Sequence, residues 1–101
     1  MSYVSISGNV NADGTLQSGA GFNISKEGTG LYLISFLRPF LSEPAVVATP
    51  NYPGWNDFDS DGGETTVSCV VVALDRNRVK IKTSEGGTAA DGNFSFIASG
   101  T

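Results

Sequence analysis

The segment Leu31-Tyr32-Leu33-Ile34-Ser35-Phe36 constrains the fold more than any other in the chain. Its residues alternate strictly, with Tyr32, Ile34 and Phe36 on one face and Leu31, Leu33 and Ser35 on the other. A period of two belongs to a strand and not to a helix. The alternation recurs in Val4, Ile6 and Val10, in Phe22 and Ile24 within Gly21–Lys26, and in Ala45–Thr49. It recurs again in Thr65–Leu74, in Val79–Thr83, and in Phe94, Phe96 and Ala98 within Asn93–Ala98. Turn residues separate these runs: Asn11-Ala12-Asp13-Gly14, Glu27-Gly28-Thr29-Gly30, Asp75-Arg76-Asn77-Arg78 and the glycine-rich stretch Ser84–Gly92. No window carries a helical period. The pattern predicts an all-β chain, an antiparallel β-sandwich of about six to eight strands forming a single domain over residues 1–101. With no helices between the strands, a parallel α/β fold is excluded.

At 101 residues the chain buries roughly two-thirds of the surface that its unfolded form exposes, enough for one core without disulfide or metal staples. Six basic residues in a chain of net charge -4 exclude the counterion-releasing patch that a nucleic-acid backbone needs. No run of about 18 apolar residues is present, so no membrane-inserting helix is expected. The sequence has no histidine, the usual general base and the commonest zinc ligand. Its single cysteine, Cys69, forms no internal disulfide and has no histidine to activate it. No serine lies in a nucleophile elbow. The expectation is therefore a protein that is not an enzyme, with no catalytic residues and no required cofactor. MSYVSISGNV has no basic segment and no apolar run of signal-peptide length, which predicts a chain made in the cytoplasm without a signal peptide. Such a chain can still leave the cell within a virion or another exported particle.

Pro50 to Glu64 is the longest stretch without a strand pattern, and long loops in compact domains are disproportionately functional. Its first half carries Tyr52, Trp55 and Asn56, with Trp55 the only tryptophan. Aromatic faces of this kind stack on sugar rings and anchor interfaces, so these three are candidate ligand-binding residues. The alternative is that Trp55 folds back over one end of the sandwich. The second half reads NDFDSDGGE. Asp57, Asp59 and Asp61 stand at alternate positions and Gly62 follows, as in the opening of a calcium loop. The twelfth position is Ser68 and not the bidentate acid, so Glu64 is the candidate fourth ligand. Calcium is thus the one metal that the sequence brings into question. The alternative is a solvated acidic loop, partly neutralised by Lys80 and Lys82.

A tight turn at Asp75–Arg78 sets Leu74 opposite Val79, and an unbroken ladder then sets Val72 opposite Ile81 and Val70 opposite Thr83. That register sends Val70 and Val72 to the core. It leaves Cys69, Val71 and Ala73 outside beside Lys80 and Lys82, as a candidate subunit interface. A sheet face covered by lysine stems is the alternative.

The run from Gly8 to Pro50 resembles a β-sandwich module of bacterial and phage proteins, often placed at the C-terminal end of tail-fibre-like or collagen-like chains. The resemblance rests on the Asp13-Gly14-Thr15 turn, the Gly19-Ala20-Gly21-Phe22 strand start, the G-x-G-x-Y-x-I-x-F strand of Gly28–Phe36 and the Phe40–Thr49 segment. The ending GGTAADGNFSFIASG, residues 86–100, extends it. The layout is distantly similar to H-type lectin domains, which are six-stranded sandwiches that assemble as trimers and bind galactose-type sugars. The aromatic and histidine of the lectin sugar site have no counterpart at Thr83-Ser84-Glu85. The resemblance implies a non-catalytic recognition or attachment module, a lectin-like homotrimer that binds a glycan or a protein surface. A structural or trimerisation domain of a fibre-like particle is the second implication.

Overall fold

A computed structural model describes residues 3–101. Met1 and Ser2, the start of the segment expected to lack a signal peptide, lie outside the described residues. Nine strands are present among them: β1 (Val4–Val10), β2 (Leu16–Gly19), β3 (Phe22–Gly28), β4 (Leu31–Phe36), β5 (Ala45–Pro50), β6 (Val67–Leu74), β7 (Arg78–Glu85), β8 (Thr88–Ala89) and β9 (Phe94–Gly100). They form two antiparallel sheets, one ordered β2-β1-β9-β5 and the other β3-β4-β7-β6, with the two-residue β8 pairing beside β7. No helix among the described residues is long and apolar enough to cross a membrane.

The core is the alternating set. Tyr32, Ile34 and Phe36 of β4, Val79 and Ile81 of β7, and Phe22 of β3 come from the second sheet, and all are buried. Ile6 and Val10 of β1 and Phe94, Phe96 and Ala98 of β9 meet them from the first. Two edge-to-face aromatic pairs tie sheet to sheet, Phe22 to Phe96 with ring centres 4.8 Å apart and Tyr32 to Phe94 at 5.1 Å. Such pairs add about 0.5–1.5 kcal/mol each beyond the area they bury. Phe22 gains its place because Gly8 lies beneath its ring, where a Cβ would fall 2.3 Å from Phe22 Cζ. Phe40, from the segment after β4, closes one end against Phe36.

The expected turns form. Gly14 N–H donates to Asn11 O at 2.9 Å, and Asp75 N–H to Arg78 O at 3.0 Å. The Asp75 carboxylate accepts the Asn77 and Arg78 N–H groups at 2.7 and 3.0 Å, which tightens the β6–β7 turn. Pro44 directly precedes β5, as a residue without an N–H must at a strand start. Two short strands were not expected. β2 is exposed throughout and β8 has two residues, so neither carries an alternation to read.

One register is corrected. Leu74 pairs with Val79 as expected, but a bulge at Val72 shifts the ladder, so Val71 pairs with Ile81 and Cys69 with Thr83. One extra residue exchanges the two faces of the strand. Cys69 and Val71 therefore turn inward and pack against the core, while Val70 and Val72 are half-exposed at 52% and 51%. Of the three residues expected on an outer contact face, only Ala73 lies there, opposite Lys80.

Candidate functional site

The two ends of the sandwich differ in chemistry. At one end residues 51–66 carry the chain from the edge strand of the first sheet, β5, to the edge strand of the second, β6. The loop is a series of turns in which Trp55, Asp57 and Ser60 N–H groups donate to Tyr52, Gly54 and Asp57 carbonyls at 3.2, 3.2 and 3.1 Å. The Tyr52 ring lies against two glycines. A Cβ on Gly54 would stand 2.6 Å from Tyr52 Cε2, and one on Gly62 would stand 2.5 Å from Tyr52 Cζ. Tyr52 thus gathers the two limbs of the loop, with part of its ring spent on that contact. Trp55 is half-buried and Asn56 exposed.

The most exposed large side chain of the loop is Phe58, at 98%. It was not among the residues singled out from the sequence, because it occupies a spacer position of the D-x-D-x-D pattern. It stands between Asp57 and Asp59, and Asp57 Oδ1 accepts the Asp59 N–H at 3.0 Å in a local turn. Ser60 Oγ accepts the Gly62 N–H in the same way. The loop is therefore an acidic tongue tipped by an aromatic ring. Asp57, Asp59, Asp61 and Glu64 are not drawn to one point, and no group of three metal-ligating residues is gathered among the described residues. The two ion pairs among those residues are Lys26 to Asp91 at 3.2 Å and Arg78 to Asp75 at 4.0 Å. Lys80 and Lys82 do not reach the tongue, contrary to the neutralisation considered from the sequence.

The floor beside the tongue is held by polar contacts. Asp91 Oδ1 accepts the Gly30 N–H at 2.7 Å, Asn93 Oδ1 the Ala12 N–H at 2.7 Å, and the buried Tyr32 hydroxyl donates to Ala12 O at 2.6 Å. The Gly30 hydrogen bond and then Lys26 hold the Asp91 carboxyl below its ordinary value. Burial pushes the Tyr32 hydroxyl up. These groups fix the 84–93 loop.

At the opposite end lies an apolar groove of about 560 Å³. Val4, Ile6, Leu37, Pro39, Phe40 and Leu41 form its walls and Arg38 stands among them. Leu37 and Leu41 are exposed, at 63% and 78%. The segment is fixed by backbone bonds from Leu37 N–H to Gly21 O, Phe40 N–H to Arg76 O and Leu41 N–H to Thr101 O, at 3.0, 2.9 and 2.9 Å. Arg76 Nη1 donates to Leu41 O at 3.5 Å, and among the described residues neither Arg38 nor Arg76 has a carboxylate within 4.0 Å.

The faces differ as well. None of the four strands of the first sheet carries a charged residue. Its outer surface is Ser, Thr, Asn and small apolar side chains, with Val47 and Ile97 side by side in register and exposed at 66% and 49%. A hydrogen-bonded row crosses it, Asn51 Nδ2 to Ser95 Oγ at 2.7 Å, Ser95 Oγ to Asn9 Oδ1, and Asn9 Nδ2 to Ser18 Oγ at 2.7 Å. The second sheet presents Arg78, Lys80 and Lys82 along β7, with Leu31, Leu33 and Val70 beside the lysines.

Cys69 is the one thiol, and burial pushes it up to about 11, so it is a thiol and not a thiolate at neutral pH. No protein-family model matches the chain, and no curated protein or solved structure matches it either.

Proposed function

We propose that this chain is a non-catalytic recognition module, a rigid β-sandwich that contacts a glycan or protein surface through the tongue at residues 51–64. The single observation behind the reading is Phe58, an aromatic ring held 98% exposed between two aspartates on a long loop. Exposing such a ring is unfavourable by about 1.5–3 kcal/mol relative to burying it, a cost that contact with a partner recovers. A raised Cys69 thiol and the lack of histidine favour binding over catalysis. The resemblance to tail-fibre-like modules and H-type lectins supports attachment and a trimer as the working form.

Trp55 lies three residues from Phe58 and is the only tryptophan, so its fluorescence reports on the tongue. Titration with an array of glycans is expected to shift its emission for at least one ligand class, and Phe58→Ala to abolish the shift. A flat response to every glycan and cell-surface protein tested sinks the reading. Repeating the titration in millimolar calcium and in chelator tests whether Asp57, Asp59, Asp61 and Glu64 gather around an ion, with an Asp59→Asn plus Asp61→Asn variant as control.

A second reading is an assembly module of a fibre-like particle packed through the first sheet. The uncharged strands favour it, since interface cores are depleted in charge. Val47→Arg, at an exposed position, is expected to lower the mass in solution of any assembly packed there. An unchanged mass with an intact fold excludes that sheet.

A further inference from the structure

We propose that the partner of the tongue is the apolar groove at the opposite end of a second copy of this chain, so that copies join head to tail. The inference rests on the reading that the tongue is the contact surface, and it names what the tongue meets.

The two surfaces complement each other in both apolar and charged chemistry. Phe58 is an almost fully exposed ring, and the groove offers about 560 Å³ walled by Leu37, Leu41, Phe40 and Val4. Carboxylates flank the ring at Asp57 and Asp59, and guanidinium groups flank the groove at Arg38 and Arg76. None of these four charges has an opposite charge within 4.0 Å among the described residues. Arginine is the cation suited to such a contact, because its planar fork matches a carboxylate and is weakly hydrated. Glu43 lies two residues beyond the groove segment and Asp75 beside Arg76, but the Asp75 carboxylate is occupied by the turn N–H groups and faces Arg78. Glu43 is the one like charge that a docking tongue must avoid.

The tongue cannot fill the groove of its own chain. The groove borders the start of β1 and the turn before β5, whereas the tongue follows the end of β5. Six-residue β5 separates them by roughly 20 Å at about 3.4 Å per residue. The contact is therefore intermolecular and heterologous, since each copy gives one surface and receives the other. Repeated, such a contact closes into a ring or runs on as a filament.

The test uses two variants altered only at exposed positions. The tongue variant is Phe58→Ser with Asp57→Asn and Asp59→Asn, and the groove variant is Arg38→Glu with Leu41→Glu. By sedimentation across micromolar to millimolar concentration, the wild-type chain is expected to exceed monomer mass and to lose mass as salt rises. Each variant alone is expected to associate roughly thirtyfold more weakly, the loss typical of a buried anchor. An equimolar mixture of the two is expected to form a dimer and stop there, because only a mixed pair joins one intact tongue to one intact groove, and the two surfaces it leaves free are both altered. Circular dichroism of each variant checks that the sandwich remains. A wild-type monomer throughout, variants that assemble like the wild type, or a mixture that stays monomeric each overturns the proposal. If the tongue variant loses glycan binding while assembly is unchanged, the recognition reading stands and the head-to-tail contact falls.

Discussion

Phe96→Ala is expected to cost about 3–5 kcal/mol and to leave the fold marginal at 37 °C. Phe96 is buried at the centre of β9, the strand that both β1 and β5 pair with. Its ring meets Phe22 edge to face at 4.8 Å across the space between the sheets. Truncation removes the transfer energy of the ring, opens a cavity and loses that aromatic contact together. The neighbourhood collapses poorly, because Phe22 is held over Gly8, which itself pairs with Phe96. Urea unfolding should show a lower midpoint with an unchanged slope. A loss below about 1.5 kcal/mol would mean that the sheets close over the gap. Val47→Ala, on the outer face of the same sheet, should change stability by less than about 0.5 kcal/mol.

Gly30→Ala carries the second large effect, about 3 kcal/mol from left-handed strain and overpacking combined. Gly30 has φ +65° and sits where a Cβ would fall 2.5 Å from Thr83 O and 2.9 Å from Ala90 N. Those neighbours are backbone, so no side-chain rotation relieves the clash. The residue also donates its N–H to Asp91 and accepts the Thr83 N–H at 2.8 Å, so a shift here loosens the 84–93 loop. A fall in melting temperature of roughly 12–24 °C is expected for a domain of this size. A variant that melts with the wild type would show that the loop is not anchored through Gly30. The same anchor sets an acid limit. Asp91 is held below its ordinary value of 3.8, so its contribution is full above that value and is lost as the pH falls through the lowered one.

The fold was legible because its core residues obey a period of two. Tyr32, Ile34 and Phe36, and again Phe94, Phe96 and Ala98, are buried on the face that alternation assigns to them. The β6 register was not legible, because Val70, Val71 and Val72 are the same residue and no composition cue marks which is the bulge. Four exposed residues with one apolar side chain among them gave no reason to draw β2. At the site, the long loop was legible as a surface, and the pattern of aspartates drew attention to the carboxylates and away from Phe58. The apolar groove was illegible. Its walls come from Val4, Ile6 and the 37–41 segment, which are distant in sequence and meet only when β1 and β4 stand in facing sheets.

Every arginine lies at or beside the groove end, in the 37–41 segment or the β6–β7 turn. The acids of the tongue, of the Asn11–Thr15 turn and of the 84–93 loop gather at the other. Glu43 and Asp75 offset two of the three arginines at that end and Lys26 offsets one acid at the other, so the net negative charge of the chain is concentrated at the tongue end. Near an anionic surface such a charge distribution turns the tongue, and Phe58 with it, away from that surface. A cationic surface reverses the posture, so the sign of a neighbouring charge selects which end faces it.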